Sequence, residues 1–216
     1  MTRKRLSGRV TDWVSLIGPL LILTGCLGGG GKADLYRFGE ITVSSVEVAP
    51  DARPTNPHGV VLGFVGSTFP RSVDERLMTV TGGEISYIAH SRWVAPPSEL
   101  FNAAVVRDLE RIVPGVSVVR SRDLPPPDFL LAVDVRHFEA RYSQGARAAP
   151  EVLIDAYIKL VRRSDRRTIA EWPVTQAEVA DANRVTAIVA AFDRGTAAVT
   201  ARIAERVRAA MLTGLS

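Results

Sequence analysis

One thiol, three imidazoles and a scatter of carboxylates are the groups from which this 216-residue chain could build chemistry. The thiol is Cys26, the sole cysteine, so neither an internal disulfide nor a cysteine metal cluster can form. His58 stands in a proline-rich loop, while His90 and His137 fall in strand-like stretches. Their spacing matches no zinc motif, and neither HExxH nor a nucleophile elbow occurs. Gly63-Phe64-Val65-Gly66-Ser67 lacks the partner glycine of a GxSxG elbow. Gly28 to Lys32 suggests a phosphate loop, but that motif needs a glycine and a Ser or Thr where Cys26 and Ala33 stand. Asp134, Glu139 and Asp155 lie among apolar neighbours on or near strand faces, which predicts solvent-facing carboxylates rather than an acid–base pair. Trp93, Trp172 and Phe192 have the size to line a lipid site, though aromatic residues are ordinary core material. The residues therefore predict no catalytic group, no metal and no cofactor.

What surrounds Cys26 assigns its thiol a different use. Arg3, Lys4, Arg5 and Arg9 form a basic start, residues 13–23 form an apolar run, and Leu23-Thr24-Gly25 places small residues directly before the cysteine. A helix spanning a bilayer needs about 20 apolar residues, and this run is little more than half that, with Gly18-Pro19 inside it. The arrangement resembles a bacterial lipobox, in which cleavage precedes the cysteine and its thiol carries a diacylglyceryl group. Residues 1–25 are thus expected to be a lipoprotein signal peptide, and residues 26–34, with four consecutive glycines, a flexible tether. Residues 35–216 are expected to form a single domain. Leu27 stands where an aspartate commonly retains lipoproteins in the inner membrane, so the expected location is the periplasmic face of the outer membrane.

Charge and composition narrow the partners. The whole chain has 27 basic and 23 acidic residues, but residues 1–25 hold four of the basic ones and only Asp12 of the acidic ones. The remainder is close to neutral and lacks the clustered basic face of a nucleic-acid-binding protein.

The elements that must position any site read as strands first. Residues 35–38, 41–48 and 60–65 alternate or cluster apolar side chains, with a Pro-rich loop over 50–57. A hairpin is predicted over 77–93, turning at Gly82-Gly83. Pro96-Pro97-Ser98-Glu99 opens a helix capped by Ser98, with Leu100, Phe101, Ala104, Val105, Leu109 and Ile112 on one stripe and Pro114-Gly115 as its stop. A short strand follows at 116–119. Strands at 129–142, 152–161 and 168–179 are joined too closely for parallel crossovers and read as an antiparallel meander, with a tight turn over 163–166. A terminal helix capped by Asn183 runs to about Leu212, and Gly195 midway marks a possible bend. The predicted class is α+β: a mixed, largely antiparallel sheet of about seven strands with two helices packed on one face.

This order of elements resembles the PqiC-like auxiliary lipoprotein family of ABC-type transport systems that carry mammalian-cell-entry (MCE) proteins. The resemblance rests on Tyr36-Arg37-Phe38, on Glu84-Ile85-Ser86-Tyr87 leading to Ser91-Arg92-Trp93-Val94-Ala95-Pro96-Pro97, and on Asp128-Phe129-Leu130-Leu131 with Phe138-Glu139-Ala140. It implies an outer-membrane auxiliary component of an intermembrane lipid transport system, with an MCE-domain protein as partner and no catalytic residues. A phospholipid ligand and a homo-oligomer stay open, as does a stand-alone envelope scaffold. Tyr87, Arg92 and Trp93, at the strand end before the helix, are the candidate partner contact, since Trp and Arg are enriched at binding hot spots. The competing reading makes Trp93 a core residue and Arg92 a local ion-pair partner.

Overall fold

The structure, a computed structural model, describes residues 32–39, 59–119 and 126–214. The expected strand over 41–48, the loop over 50–57 and His58 lie outside the described residues, as do Cys26 and the leader. In chain order the elements are β1 (Asp34–Tyr36), β2 (Val60–Thr68), β3 (Arg76–Thr81), β4 (Glu84–Trp93), α1 (Pro97–Ile112), β5 (Val116–Val119), β6 (Phe129–Arg141), β7 (Glu151–Arg162), β8 (Thr168–Val179) and α2 (Val185–Gly214).

β6 organises the sheet. One edge pairs antiparallel with β7 from Phe129↔Arg162 to Arg141↔Glu151, and β7 pairs with β8 in the same sense. The other edge is shared. β2 runs parallel to its first half, from Leu62↔Phe129 to Thr68↔Asp134, and β3 takes over at Thr79↔Ala140 and Val80↔Arg141. β5 extends the sheet beyond β2, while β4 and then β1 extend it beyond β3. The expected α+β class with a mixed sheet and two helices is borne out, as is the β6–β7–β8 meander. Eight strands are present among the described residues, and four of the seven pairings are parallel, although the two longest are antiparallel. The added parallel pairs join strands that are not neighbours in sequence, which loop lengths cannot reveal.

Period-2 alternation aims Phe129, Leu131, Val133 and Val135 of β6 into the core beside Val152, Ile154, Ala156, Ile158 and Leu160 of β7. A bulge between Val135 and His137 shifts the phase, so Phe138 and Ala140 continue the inward row. α1 packs on β2 and β5, α2 on β7 and β8, and the two helices meet each other. Gly195 serves this close approach: a Cβ there would lie 3.2 Å from Ile154 Cδ1. No helix among the described residues is long and apolar enough to cross a membrane.

Two expected caps are replaced. α1 has Pro96 at its N-cap and Pro97 at its first position, with no side-chain cap, because the Pro96 ring carries no acceptor; the Glu99 N–H is met by the Pro96 carbonyl at 2.9 Å instead. Asn183 instead accepts the Tyr142 hydroxyl at 2.8 Å and donates to the Ala146 carbonyl at 2.9 Å, tying α2's approach to the loop after β6. Across the helices, the buried Asp108 carboxylate of α1 accepts Thr200 Oγ1 of α2 at 2.5 Å and Arg111 Nη2 at 3.1 Å.

Candidate functional site

β4 ends in an irregular stretch. Met78 pairs with Tyr87, but the next partner of β3, Arg76, faces Arg92, so the four residues 88–91 of β4 stand against the single Leu77. His90 within this bulge has φ 55°, a left-handed conformation rare for residues other than glycine. Beyond it the chain is pinned again, with Trp93 N–H donating to the Glu75 carbonyl at 2.6 Å and β1 adding in parallel through Leu35↔Arg92 and Tyr36↔Trp93.

This register decides the fate of the three candidate contact residues. Trp93 is only 2% exposed and meets Phe38 edge-on at 4.9 Å, Phe192 at 5.2 Å and Phe138 at 6.3 Å. Its ring belongs to the core, which corrects its assignment as a contact residue: alternation along β4 turns it inward when Arg92 points out. Arg92 is half-exposed and only loosely paired, its Nη1 3.9 Å from Glu75 Oε2. Tyr87 is half-buried, donates its hydroxyl to the Ser72 carbonyl at 2.9 Å, and carries the Arg76 guanidinium 3.7 Å above its ring. Arg76 also grips Asp74, with Nη2 to Oδ2 at 2.5 Å, and that hydrogen bond holds the Asp74 carboxyl below the usual range against the opposing effect of burial. Beside Arg92 stand Leu35 at 64% exposure and Val94 at 45%. The strand end thus presents an apolar pair with a cation between charged neighbours. Leu35 escaped sequence reasoning because only the pairing of β1 with β4 brings it there.

A polar clamp fixes the N-terminal segment against the helices. The Gly39 N–H donates to Asp193 Oδ1 of α2 at 2.6 Å, and its carbonyl accepts Arg107 Nη1 of α1. Gly39 has φ +77°, and a Cβ there would approach Ala104 Cβ to 3.3 Å.

The remaining candidates disperse. His90 is exposed, and His137 lies 3.5 Å from Glu139, with no group of three ligands able to hold a metal among the described residues. Asp134 faces solvent and bonds Thr68, while Asp155 is half-buried and accepts Thr175 Oγ1 at 2.5 Å. Glu139 departs from expectation: it is buried, paired with Arg141 Nε at 2.7 Å and 3.5 Å from His137 Nδ1. On the sheet's open face Glu171 accepts the Tyr157 hydroxyl at 2.6 Å and Lys159 Nζ at 3.0 Å, which lowers its pKa and raises that of Tyr157. Trp172 and Phe192 are core residues.

At the opposite end of the sheet, the β7–β8 turn places Arg163 and Ser164 on the wall of an open cleft of about 570 Å³, facing Val60, Pro127 and Asp128.

Among solved structures, the chain is similar to protein XCC0632 from Xanthomonas campestris, of the family DUF330, at 24% identity and a TM-score of 0.69 over 84% of this chain and 98% of that one. It is also similar to an uncharacterized protein at 16% identity and a TM-score of 0.62, over 82% and 99% of the two chains. These likenesses show the fold. Among curated proteins no relative matches the sequence. The sequence profile of the ABC-type transport auxiliary lipoprotein component matches residues 44–204, about three quarters of the chain. That family is one of transport auxiliaries rather than of enzymes, and its name ties its members to an ABC transport system. The chain belongs to the ABC-type transport auxiliary lipoprotein family.

Proposed function

We propose that this protein is the auxiliary component of an MCE/ABC-type intermembrane lipid transport system, anchored by acyl chains on Cys26 to the periplasmic face of the outer membrane. The observation that carries the reading is the family match over residues 44–204, joined to a leader that ends at the chain's sole cysteine. Each buried CH₂ of an acyl chain contributes about 0.8 kcal/mol, and one chain alone binds only marginally. The two or three chains of a mature lipoprotein hold it to one membrane, where it waits for its partner. Residues 26–34 serve as the tether and residues 35–216 as the single folded domain. The MCE-domain protein docks on the outward strand end, where Arg92 and Tyr87 are joined by Leu35 and Val94.

Two measurements test this. Labelling with a palmitate analogue marks the parent protein and is lost in Cys26→Ala; undiminished label in the variant overturns the anchor. The MCE-domain protein of the neighbouring genes co-purifies with the parent and sediments with it in outer-membrane fractions. Mature protein found wholly in the inner membrane overturns the location, and absence of the MCE protein from the purified sample overturns the partner.

A further inference from the structure

Residues 162–167 read Arg-Arg-Ser-Asp-Arg-Arg, the densest cluster of charge among the described residues. Asp165 answers only part of it: its carboxylate lies 3.5 Å from Arg162 Nη1 and accepts the Arg167 backbone N–H at 3.1 Å. The guanidinium groups of Arg163, Arg166 and Arg167 are exposed and have no ion-pair partner among the described residues. Arg166 also sits at φ 58°, where glycine or asparagine would be the undemanding choice for a turn. A long cation is held there in spite of the backbone cost, and such outliers collect where a side chain has work to do. Arg163 and Ser164 continue into the cleft, which Val60, Pro126 and Pro127 also line together with Asp128, whose carboxylate accepts the Val61 N–H at 2.8 Å.

The turn also lies far along the sheet from β1. β6 runs from Phe129, opposite Arg162, to Phe138, whose ring lies 5.1 Å from Phe38 of the N-terminal segment. β1 runs in the sense opposite to β6, so Asp34 lies at or beyond the Phe138 level. Nine positions along a strand with one bulge span about 26–30 Å. The arginine turn therefore stands at the end of the sheet remote from β1.

We propose that the β7–β8 turn, through Arg163, Arg166 and Arg167, is a docking site for an acidic segment of a periplasmic protein. Three unpaired cations beside a cleft of mixed lining fit an extended chain of alternating acidic and small residues. That the partner is periplasmic rests on the lipid anchoring proposed above; the charge complementarity does not.

Full-length protein extracted from membranes in neutral detergent is titrated, by fluorescence anisotropy, with a labelled peptide of five Glu-Gly repeats and with its Gln-Gly counterpart. The expected result is binding of the acidic peptide alone, several-fold weaker at 200 mM than at 50 mM salt. The triple variant R163Q/R166Q/R167Q weakens it at least tenfold, while R206Q/R208Q, which removes exposed charge from α2, changes it less than twofold. R166G keeps the turn in a conformation glycine favours and still weakens binding. Absence of binding, equal binding of the Gln-Gly peptide, or equal weakening by R206Q/R208Q overturns the proposal. Displacement of the peptide by protein-free phosphatidylglycerol vesicles at matched charge assigns the turn to lipid headgroups and overturns it as well. Intact mass of the same preparation reports acyl chains on Cys26, so an unacylated protein overturns the anchoring independently of what the peptide does.

Discussion

Replacing Trp93 by alanine separates a core role from a contact role in one melting curve. The side chain is 2% exposed and touches three other rings, two of them within 5.2 Å. Truncating a buried tryptophan costs about 3–5 kcal/mol, and edge-on ring pairs contribute about 0.5–1.5 kcal/mol each beyond the area they bury. The upper half of that range is expected, because Phe38, Phe138 and Phe192 surround the site on three elements and cannot all collapse into the gap. For a domain of this size each kcal/mol lowers Tm by about 2–4 °C, so Trp93→Ala should melt about 8–20 °C below the parent. Trp93→Phe keeps an aromatic edge and should lose less than half as much. Circular dichroism, followed in the near and far ultraviolet, reads both packing and secondary structure. Arg92→Ala, half-exposed with its one pair at 3.9 Å, should stay within about 0.5 kcal/mol of the parent. A Trp93→Ala protein melting within 2 °C of the parent would refute the placement of this ring.

The neighbouring contacts yield further expectations. Arg92→Ala should remain folded yet lose co-purification with the MCE-domain protein, and a folded variant that still binds takes this strand end out of the contact surface. Asp108→Ala removes the acceptor shared by Thr200 and Arg111 and should cost about 2 kcal/mol; a double-mutant cycle with Thr200→Val that shows no coupling would sever the proposed α1–α2 lock. Gly39→Ala must adopt φ +77° against Ala104 and should cost about 1–2 kcal/mol, read from chemical denaturation. Asp74 and Glu171 have lowered pKa values, so their contribution is present above about pH 4 and is lost as pH falls through the folded values. Melting temperature should therefore decline less steeply below pH 4 in Asp74→Asn/Glu171→Gln than in the parent, and an unchanged acid limb would show that these pairs add nothing.

How much of this was legible depended on distance along the chain. The β6–β8 meander showed itself because each strand alternates strictly and its partner follows within a short turn. α1 was readable from its stripe and from Pro114-Gly115, though its cap was misread, since the helix starts at Pro97 and leaves Ser98 inside its first turn. β1 was visible as a strand but not as the partner of β4, because three residues carry no pattern that specifies register. The bulge at 88–91 left no periodic trace, so the choice between a buried and an exposed Trp93 stayed open until the pairing of Arg92 with Leu35 resolved it. The Gly39 clamp joins positions 154 residues apart, and a glycine before a polar stretch offers no hint of it. The arginine turn was legible as a turn; what could not be read was its place at the end of the sheet remote from β1.

The clamp on Gly39 also bears on mechanics. On the anchoring proposed above, a pull between Cys26 and a partner enters the described domain through β1, three residues paired to one neighbour. Pulling from the Asp34 side loads those bonds lengthwise, so they must fail together instead of opening one at a time. Behind them, Asp193 and Arg107 hold the N–H and the carbonyl of a single residue, Gly39, to two different helices. Tension is thereby handed past the short strand and shared out over the helical layer. The domain can then strain against its lipid without unravelling from the end at which it is moored.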